Sequence, residues 1–227
     1  MSVNQQEARK ILGDSRAVIT DSHVVYTSGK HGSAYINKDA VYPHTMETSR
    51  LCEMIAKEFS GDNIDVVIAP AVGGVILSQW IARDLSVLTG REVLGVYAEK
   101  EIMPISDPQN EGRACYVETG RFIIKRGYDK LITEKRVLVV EDVINTGNSV
   151  KKVLQATRRH GGMIVGVGAL CNRGGITIQD LNVPKFVPLM EVRLDAWDET
   201  DCPLCAQDIP INTDVGKGRE FLSRKYS

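Results

Sequence analysis

The sequence predicts an α/β fold: a parallel β-sheet flanked by helices on both faces. Three observations carry that expectation. Four short runs, Asp65–Ala69, Glu92–Tyr97, Arg136–Val140 and Ile164–Leu170, are almost continuously apolar, as expected of strands buried on both faces rather than one. Helical patterns alternate with them at Glu47–Phe59, Val75–Leu88 and Val150–His160, and alternating strands and helices specify parallel crossovers. A chain of 227 residues, 43% hydrophobic and 25% charged, is long enough to bury such a core without disulfides.

Taken in order, the chain opens with a helical pattern in which Ala8, Ile11 and Leu12 share one face. Short extended segments follow at Val24–Tyr26 and Ala34–Ile36, separated by the polar turn Thr27-Ser28-Gly29-Lys30-His31-Gly32-Ser33. Leu51, Met54, Ile55 and Phe59 form the apolar face of the next helix. Pro70-Ala71-Val72-Gly73-Gly74 is a turn between a strand and a helix. From Lys100 to Arg121 the regular pattern stops, with Met103-Pro104, Asp107-Pro108, Gly112 and many charges. A connection of this length reads either as a functional lid or as a tolerated surface insertion. The organisation expected is one domain over 1–227, with a hood segment at 1–45 and a C-terminal appendage at 195–227.

Net charge is −1, so no broad electrostatic attraction to nucleic acid or to an anionic membrane exists, and an anionic ligand needs a local site. No apolar run approaches the roughly 20 residues that span a bilayer, and the first residues lack a signal core. Five cysteines in a chain of this size do not form a disulfide framework. The expected localisation is cytoplasmic.

The most informative string is Val137 to Ser149. Four aliphatic residues run into Glu141 and Asp142; Val143, Ile144, Asn145, Thr146, Gly147, Asn148 and Ser149 follow, and then a helix begins. In a parallel sheet ligands bind at the carboxyl ends of the strands, which puts the two carboxylates at the ligand rim. A loop entering a helix offers successive backbone N–H groups and the positive end of the helix dipole, a phosphate cradle. Gly147 permits close approach or positive φ, and Thr146 and Ser149 add hydroxyls. Carboxylates that accept from vicinal hydroxyls, beside a loop that takes phosphate, suit a sugar phosphate. The blander reading is a helix start preceded by two solvated acids, and the full ordered string is more specific than that. It is not a P-loop, for it lacks Gly-Lys-Ser/Thr, and not a dinucleotide fingerprint, for it lacks the glycines.

This string resembles the phosphoribosyl pyrophosphate (PRPP) signature of type I phosphoribosyltransferases, and further segments resemble the orotate phosphoribosyltransferases. Thr27 to Asn37 is similar to their N-terminal segment, which implies Tyr35 and Ile36 against the base. Asn172-Arg173-Gly174-Gly175 stands where the family has an arginine facing orotate, and Arg173 suits a carboxylate or carbonyl. Asn145 falls where a hydroxyl residue approaches the base. Pro70 to Gly74 matches the loop that cradles pyrophosphate, bringing in Val72 and Gly73. The resemblance implies PRPP contacts from Lys30, Val72, Gly73, Lys100 and Glu141 through Ser149, with Lys100 and Asp142 catalytic. It also implies a homodimer, and Mg²⁺ held mainly by substrate and water rather than by a protein metal cluster. The implied reaction is displacement of pyrophosphate by a ring nitrogen of orotate. A purine or uracil phosphoribosyltransferase, or a non-catalytic PRPP-binding regulator, are the alternatives. The chain departs from the family on the pyrophosphate side. Thr27 replaces a lysine, Val72 and Gly73 replace an aromatic residue and a lysine, and the lid opens Glu99-Lys100 instead of Arg-Lys. Lys30, Lys38, Lys100, Lys125 and Arg126 are the cations available to compensate.

Cys202-Pro203-Leu204-Cys205 has metal-ligand spacing, but a single such pair reads first as a plain turn with reduced thiols. Cys171 or a histidine would have to complete a zinc site. His23, His31, His44 and His160 are scattered, none with a partner at ligand spacing. His160, near a helix end, is expected to meet the last carbonyls, and Trp80 and Trp197 are expected in the core.

Overall fold

A computed structural model describes residues 3–26, 28–106, 114–192 and 194–225. The chain divides into two compact units, 49–190 and a second made from both ends of the sequence, 1–48 with 191–227.

The 49–190 unit is built on a six-stranded sheet. Helix α1 (Val3–Asp14) and strands β1 (Val18–Ile19), β2 (Val24–Val25), β3 (His31–Gly32) and β4 (Tyr35–Ile36) precede it in the chain. Then come α2 (Thr45–Phe59), β5 (Val66–Pro70), α3 (Gly74–Thr89), β6 (Leu94–Ser106), β7 (Ala114–Ile123), α4 (Tyr128–Ile132), β8 (Arg136–Ile144), α5 (Asn148–Arg159), β9 (Met163–Asn172), α6 (Ile178–Leu181) and β10 (Phe186–Glu191). The strand order is β10-β9-β8-β5-β6-β7. Strands β6, β5, β8 and β9 are mutually parallel, as their continuous apolar runs require, and β7 returns antiparallel beside β6.

Period-two alternation sorts the buried residues onto two faces. Val66 and Ile68, Val137 and Val139, and Val167 and Ala169 pack with Val150, Val153 and Leu154 of α5. On the opposite face β9 carries Gly166 and Gly168. A Cβ at Gly166 would stand 2.8 Å from the Phe59 ring, and one at Gly168 would stand 2.7 Å from Ile55. Absent side chains on β9 therefore let α2 lie close to the sheet, which explains why Phe59 and Ile55 are fully buried.

Lys100 to Arg121 differs from its expectation as an irregular connection. Its described part is a hairpin, with β6 continuing past Tyr97 to Ser106 and pairing with β7 from Glu99↔Ile123 to Ser106↔Ala114. The stretch 107–113, including Asp107-Pro108 and Gly112, lies outside the described residues. Cross-strand charge pairs line this ribbon. Lys100 Nζ meets Glu118 at 3.0 Å, and Arg121 meets Glu101 at 2.6 Å. Neither tryptophan is in the core: Trp80 and Trp197 are half-buried, and Arg83 lies over the Trp80 ring. His160 caps α5 through its backbone N–H, which reaches Ala156 O and Thr157 O. Among the described residues no helix is long and apolar enough to cross a membrane.

The second unit holds α1, packed through Ala8 and Leu12, and two small antiparallel ribbons, β1–β4 and β2–β3. The C-terminal segment, with α7 (Pro203–Ala206) and α8 (Gly218–Lys225), is woven into the β2–β3 hairpin. Trp197 and His31 exchange two backbone hydrogen bonds of 2.8 Å, and Asn212 N–H donates to His23 O.

Candidate functional site

The acid pair does not sit beyond the strand, as the sequence suggests, but within it. Strand β8 continues through Ile144, with Glu141 paired to Ala169 and Val143 to Cys171 of β9. Glu141 and Asp142 are only 7% and 6% exposed, so their carboxylates are held by the sheet rather than left waving in water. Each backbone is tied to the preceding acid: Asp142 N–H donates to Glu141 Oε1 at 3.1 Å, and Val143 N–H donates to Asp142 Oδ1 at 2.5 Å.

After Ile144 the chain turns through Asn145 and Thr146 to Gly147, whose φ of +72° is left-handed. That conformation favours glycine, and α5 starts directly after it. Thr146 Oγ1 accepts from Asn148 N–H, and Lys151 N–H donates back to Gly147 O at 2.9 Å as α5 begins. Residues Glu141, Val143 through Asn148, Ser149 and Val150 line a cavity of about 100 Å³. Its size and its lining of backbone donors at a helix start fit a phosphate group.

A second chain segment is clamped onto this loop. Arg173 and Gly174 both donate backbone hydrogen bonds to Ile144 O, at 2.8 and 3.1 Å. The approach is so close that a Cβ on Gly174 would fall 1.5 Å from Asn145 O. Asn172, buried at the end of β9, closes the turn by accepting from Ile176 N–H and donating to Ile176 O. Sequence reasoning missed Asn172 and Gly174; an asparagine at a strand end before paired glycines was the available signal. On the other side of β8, the Pro70–Gly74 loop follows its neighbour β5. A Cβ at Gly74 would stand 3.5 Å from Val140 O, which places this second loop against the strand that carries the acids. Val72 is 86% exposed, and the Ala71–Val72 peptide is cis.

The remaining sequence candidates are distributed as follows. Lys100 lies on the β6–β7 ribbon, paired with Glu118. Arg126 is engaged by Glu99 at 2.7 Å and lies over the Tyr97 ring. In the other unit, Lys30 pairs with Asp198 at 3.0 Å, Lys38 lies over the Tyr42 ring, Tyr35 is half-buried and Ile36 is buried in the β1–β4 ribbon. Thr27 lies outside the described residues.

Comparison with known proteins identifies the family. The phosphoribosyl transferase domain model matches residues 39–204. An orotate phosphoribosyltransferase of Pelotomaculum thermopropionicum is 36% identical over 83% of this chain and 85% of its own. One from Caldanaerobacter subterraneus is 32% identical over 90% and 95%. Among solved structures, the Mycobacterium tuberculosis orotate phosphoribosyltransferase superposes with a TM-score of 0.56 at 18% identity, covering 83% of this chain and 95% of that one. The Trypanosoma brucei adenine phosphoribosyltransferase gives 0.57 at 15%, covering 98% and 94%. At those identities the structural likeness speaks for the fold. The domain match and the curated relatives, each spanning most of the chain, speak for descent: this chain belongs to the phosphoribosyltransferase family.

Proposed function

We propose that the protein is an orotate phosphoribosyltransferase, transferring ribose 5-phosphate from PRPP to orotate with release of pyrophosphate. The observation that carries this reading is the Glu141–Ser149 loop. It joins two sheet-held carboxylates to a phosphate-sized cradle and is locked to Arg173. Relatives named for orotate transfer support the choice of base, and a 19% identical structure solved with PRPP supports the donor.

In this reading the 5-phosphate sits on the N–H groups of Thr146 to Ser149, and Glu141 and Asp142 accept from the ribose hydroxyls. The Pro70–Gly74 loop flanks the pyrophosphate with Val72 and Gly73. Arg173 offers a planar fork to the orotate carboxylate or a carbonyl. Asn145 approaches the edge of the orotate ring. The bond from C1 to pyrophosphate breaks, its electron pair leaving with pyrophosphate, as the ring nitrogen bonds to C1 and gives up its proton to solvent. No protein nucleophile is required, and rate comes from positioning and from stabilising developing charge. Lys100, on the ribbon, supplies positive charge to the departing pyrophosphate once it leaves Glu118. Mg²⁺ fits a site of this kind: two carboxylates and a substrate rich in phosphate oxygens suit an ion that keeps few protein ligands, and it neutralises the leaving group when bound. We further propose a cytoplasmic homodimer, a reading supported by the family resemblance alone.

The test is pyrophosphate release with magnesium, PRPP and a panel of bases. Turnover with orotate is expected; turnover with purines alone would sink the assignment, and PRPP binding without turnover on any base would favour a regulator. Glu141→Ala combined with Asp142→Ala removes charged hydrogen bonds of about 1.5–3 kcal/mol each. PRPP affinity should therefore fall at least about a hundredfold in calorimetric titration, with the fold retained. Unchanged affinity would mean that the site is misplaced.

A further inference from the structure

The unit formed by 1–48 and 191–227 contains a cluster of side chains that the transferase chemistry does not use. His23 precedes β2 and His31 opens β3, and the hairpin register brings Val25 opposite His31. Scattered in the sequence, the two imidazoles meet in the fold, with His23 Nε2 2.9 Å from His31 Nδ1. Cys202 Sγ lies 3.6 Å from His23 Nε2; Cys205 Sγ lies 3.6 Å from the same atom and 3.3 Å from His31 Nδ1. All four atoms fall within 4.8 Å of one another, and this is the one cluster of three or more potential ligands among the described residues.

The four separations just given lie within about 0.4 Å of the edges of a zinc tetrahedron. Zn–N bonds near 2.0–2.1 Å and Zn–S bonds near 2.3 Å imply edges of roughly 3.3 Å between nitrogens, 3.6 Å between nitrogen and sulfur, and 3.8 Å between sulfurs. The second layer is also in place. His23 Nδ1 stands 2.7 Å from Ile209 O. A carbonyl only accepts, so Nδ1 carries the proton and Nε2 turns its lone pair to the centre, the arrangement by which metal-bound histidines are fixed. His23, His31 and Cys202 are 2% exposed or less, and both thiols are free. The other nitrogen of His31 is buried with no hydrogen-bond partner among the described residues, its ring meeting Phe221 edge-on at 4.9 Å.

We propose that His23 Nε2, His31 Nδ1, Cys202 Sγ and Cys205 Sγ form a structural Zn²⁺ site. Two thiolates and two imidazoles select zinc over hard cations, and four protein ligands leave no open position for catalysis. The proposal departs from the plain-turn reading of Cys202–Cys205, and of the two completions expected, Cys171 or a histidine, it takes the second. Cys171 lies in β9 of the other unit, and the partners are two histidines that lack ligand spacing in the sequence. The metal ties the β2–β3 hairpin, whose loop carries Lys30, to the C-terminal segment. This inference does not depend on which base the enzyme uses.

The test is elemental analysis of the full untagged chain purified without chelator. One zinc per chain is expected, released by chelator only as the thiols are titrated. Cobalt exchanged into the site should give the visible absorption of tetrahedral Co²⁺ and its thiolate charge-transfer band. Cys205→Ser, at the half-buried position, should lose the metal and that band, while Cys115→Ser on β7 keeps both. Wild-type protein that holds no zinc above background after reconstitution would overturn the proposal, as would full zinc retention in Cys205→Ser. Should Cys205→Ser not fold, His23→Gln is read in the same way, and the cobalt spectrum of the wild type stands alone as the decisive measurement.

Discussion

Replacing Gly174 with alanine should be far more damaging than its exposed position suggests. The added methyl carbon would lie 1.5 Å from Asn145 O and 2.5 Å from Asn145 C. Both are backbone atoms, so no side chain can swing aside. Relief requires parting the two segments, which breaks the hydrogen bonds from Arg173 and Gly174 to Ile144 O. Two such bonds are worth about 1 kcal/mol each, and displacing packed backbone costs about 1–3 kcal/mol more. The expected loss is therefore about 3–5 kcal/mol, read as a shift of the urea midpoint at constant slope. Gly175 is the internal control. It has φ of +63° with nothing within 4 Å of its missing Cβ, so Gly175→Ala should cost only the left-handed strain of about 1–2 kcal/mol. Because the displaced residue is Asn145, Gly174→Ala should also weaken PRPP binding roughly tenfold, about 1.4 kcal/mol. Equal stabilities for the two variants would refute the claim that this contact locks the loop.

Two further outcomes are expected. Lys100→Ala should lower kcat with little effect on thermal stability, because its pair with Glu118 is more than half exposed on both sides and such pairs contribute about 0–1 kcal/mol; lost stability with unchanged kcat would reduce Lys100 to a ribbon clip. Asp84 is buried in α3 beside Arg83, and its Oδ2 has no hydrogen-bond partner among the described residues. Burial raises its pKa, with Arg83 pulling the other way. A carboxyl whose folded pKa is raised binds its proton more tightly folded than unfolded. Stability is therefore lost as pH climbs from the ordinary value near about 3.9 through the folded one. Asp84→Asn should unfold at higher temperature than wild type at neutral pH and converge with it in acid; a pH-independent difference would show that charge is not the cause.

The sheet was legible because β5, β8 and β9 are apolar on both faces, and such runs have few other places to go. The phosphate loop was legible because its chemistry lies in one continuous string. The β6–β7 ribbon was not. It is exposed over most of its length, so its strands carry Lys100, Glu101, Glu118 and Arg121 in cross-strand pairs, and a polar, proline-bearing stretch reads as a loop. The extent of β8 was hidden for a related reason: buried carboxylates look like the end of a strand when only hydrophobicity is counted. The His–Cys cluster lay beyond any local rule, because its ligands come from opposite ends of the chain and only the Cys202–Cys205 spacing is visible without the fold.

That the 1–48 and 191–227 segments form one unit has a consequence for how the protein is made. During synthesis His23 and His31 are made first, and the whole 49–190 stretch is polymerised before Cys202 and Cys205. The unit with the central sheet is able to condense as the chain lengthens, while the β2–β3 hairpin waits for Trp197 and Asn212 to pair with it. Closing so long an interval costs only about 0.6 kcal/mol more per doubling of its length, so the delay is one of sequence order rather than of free energy. A chain ending at residue 190 would therefore hold the phosphate loop and the β9 segment clamped to it, while its N-terminal hairpin lacks Trp197 and Asn212.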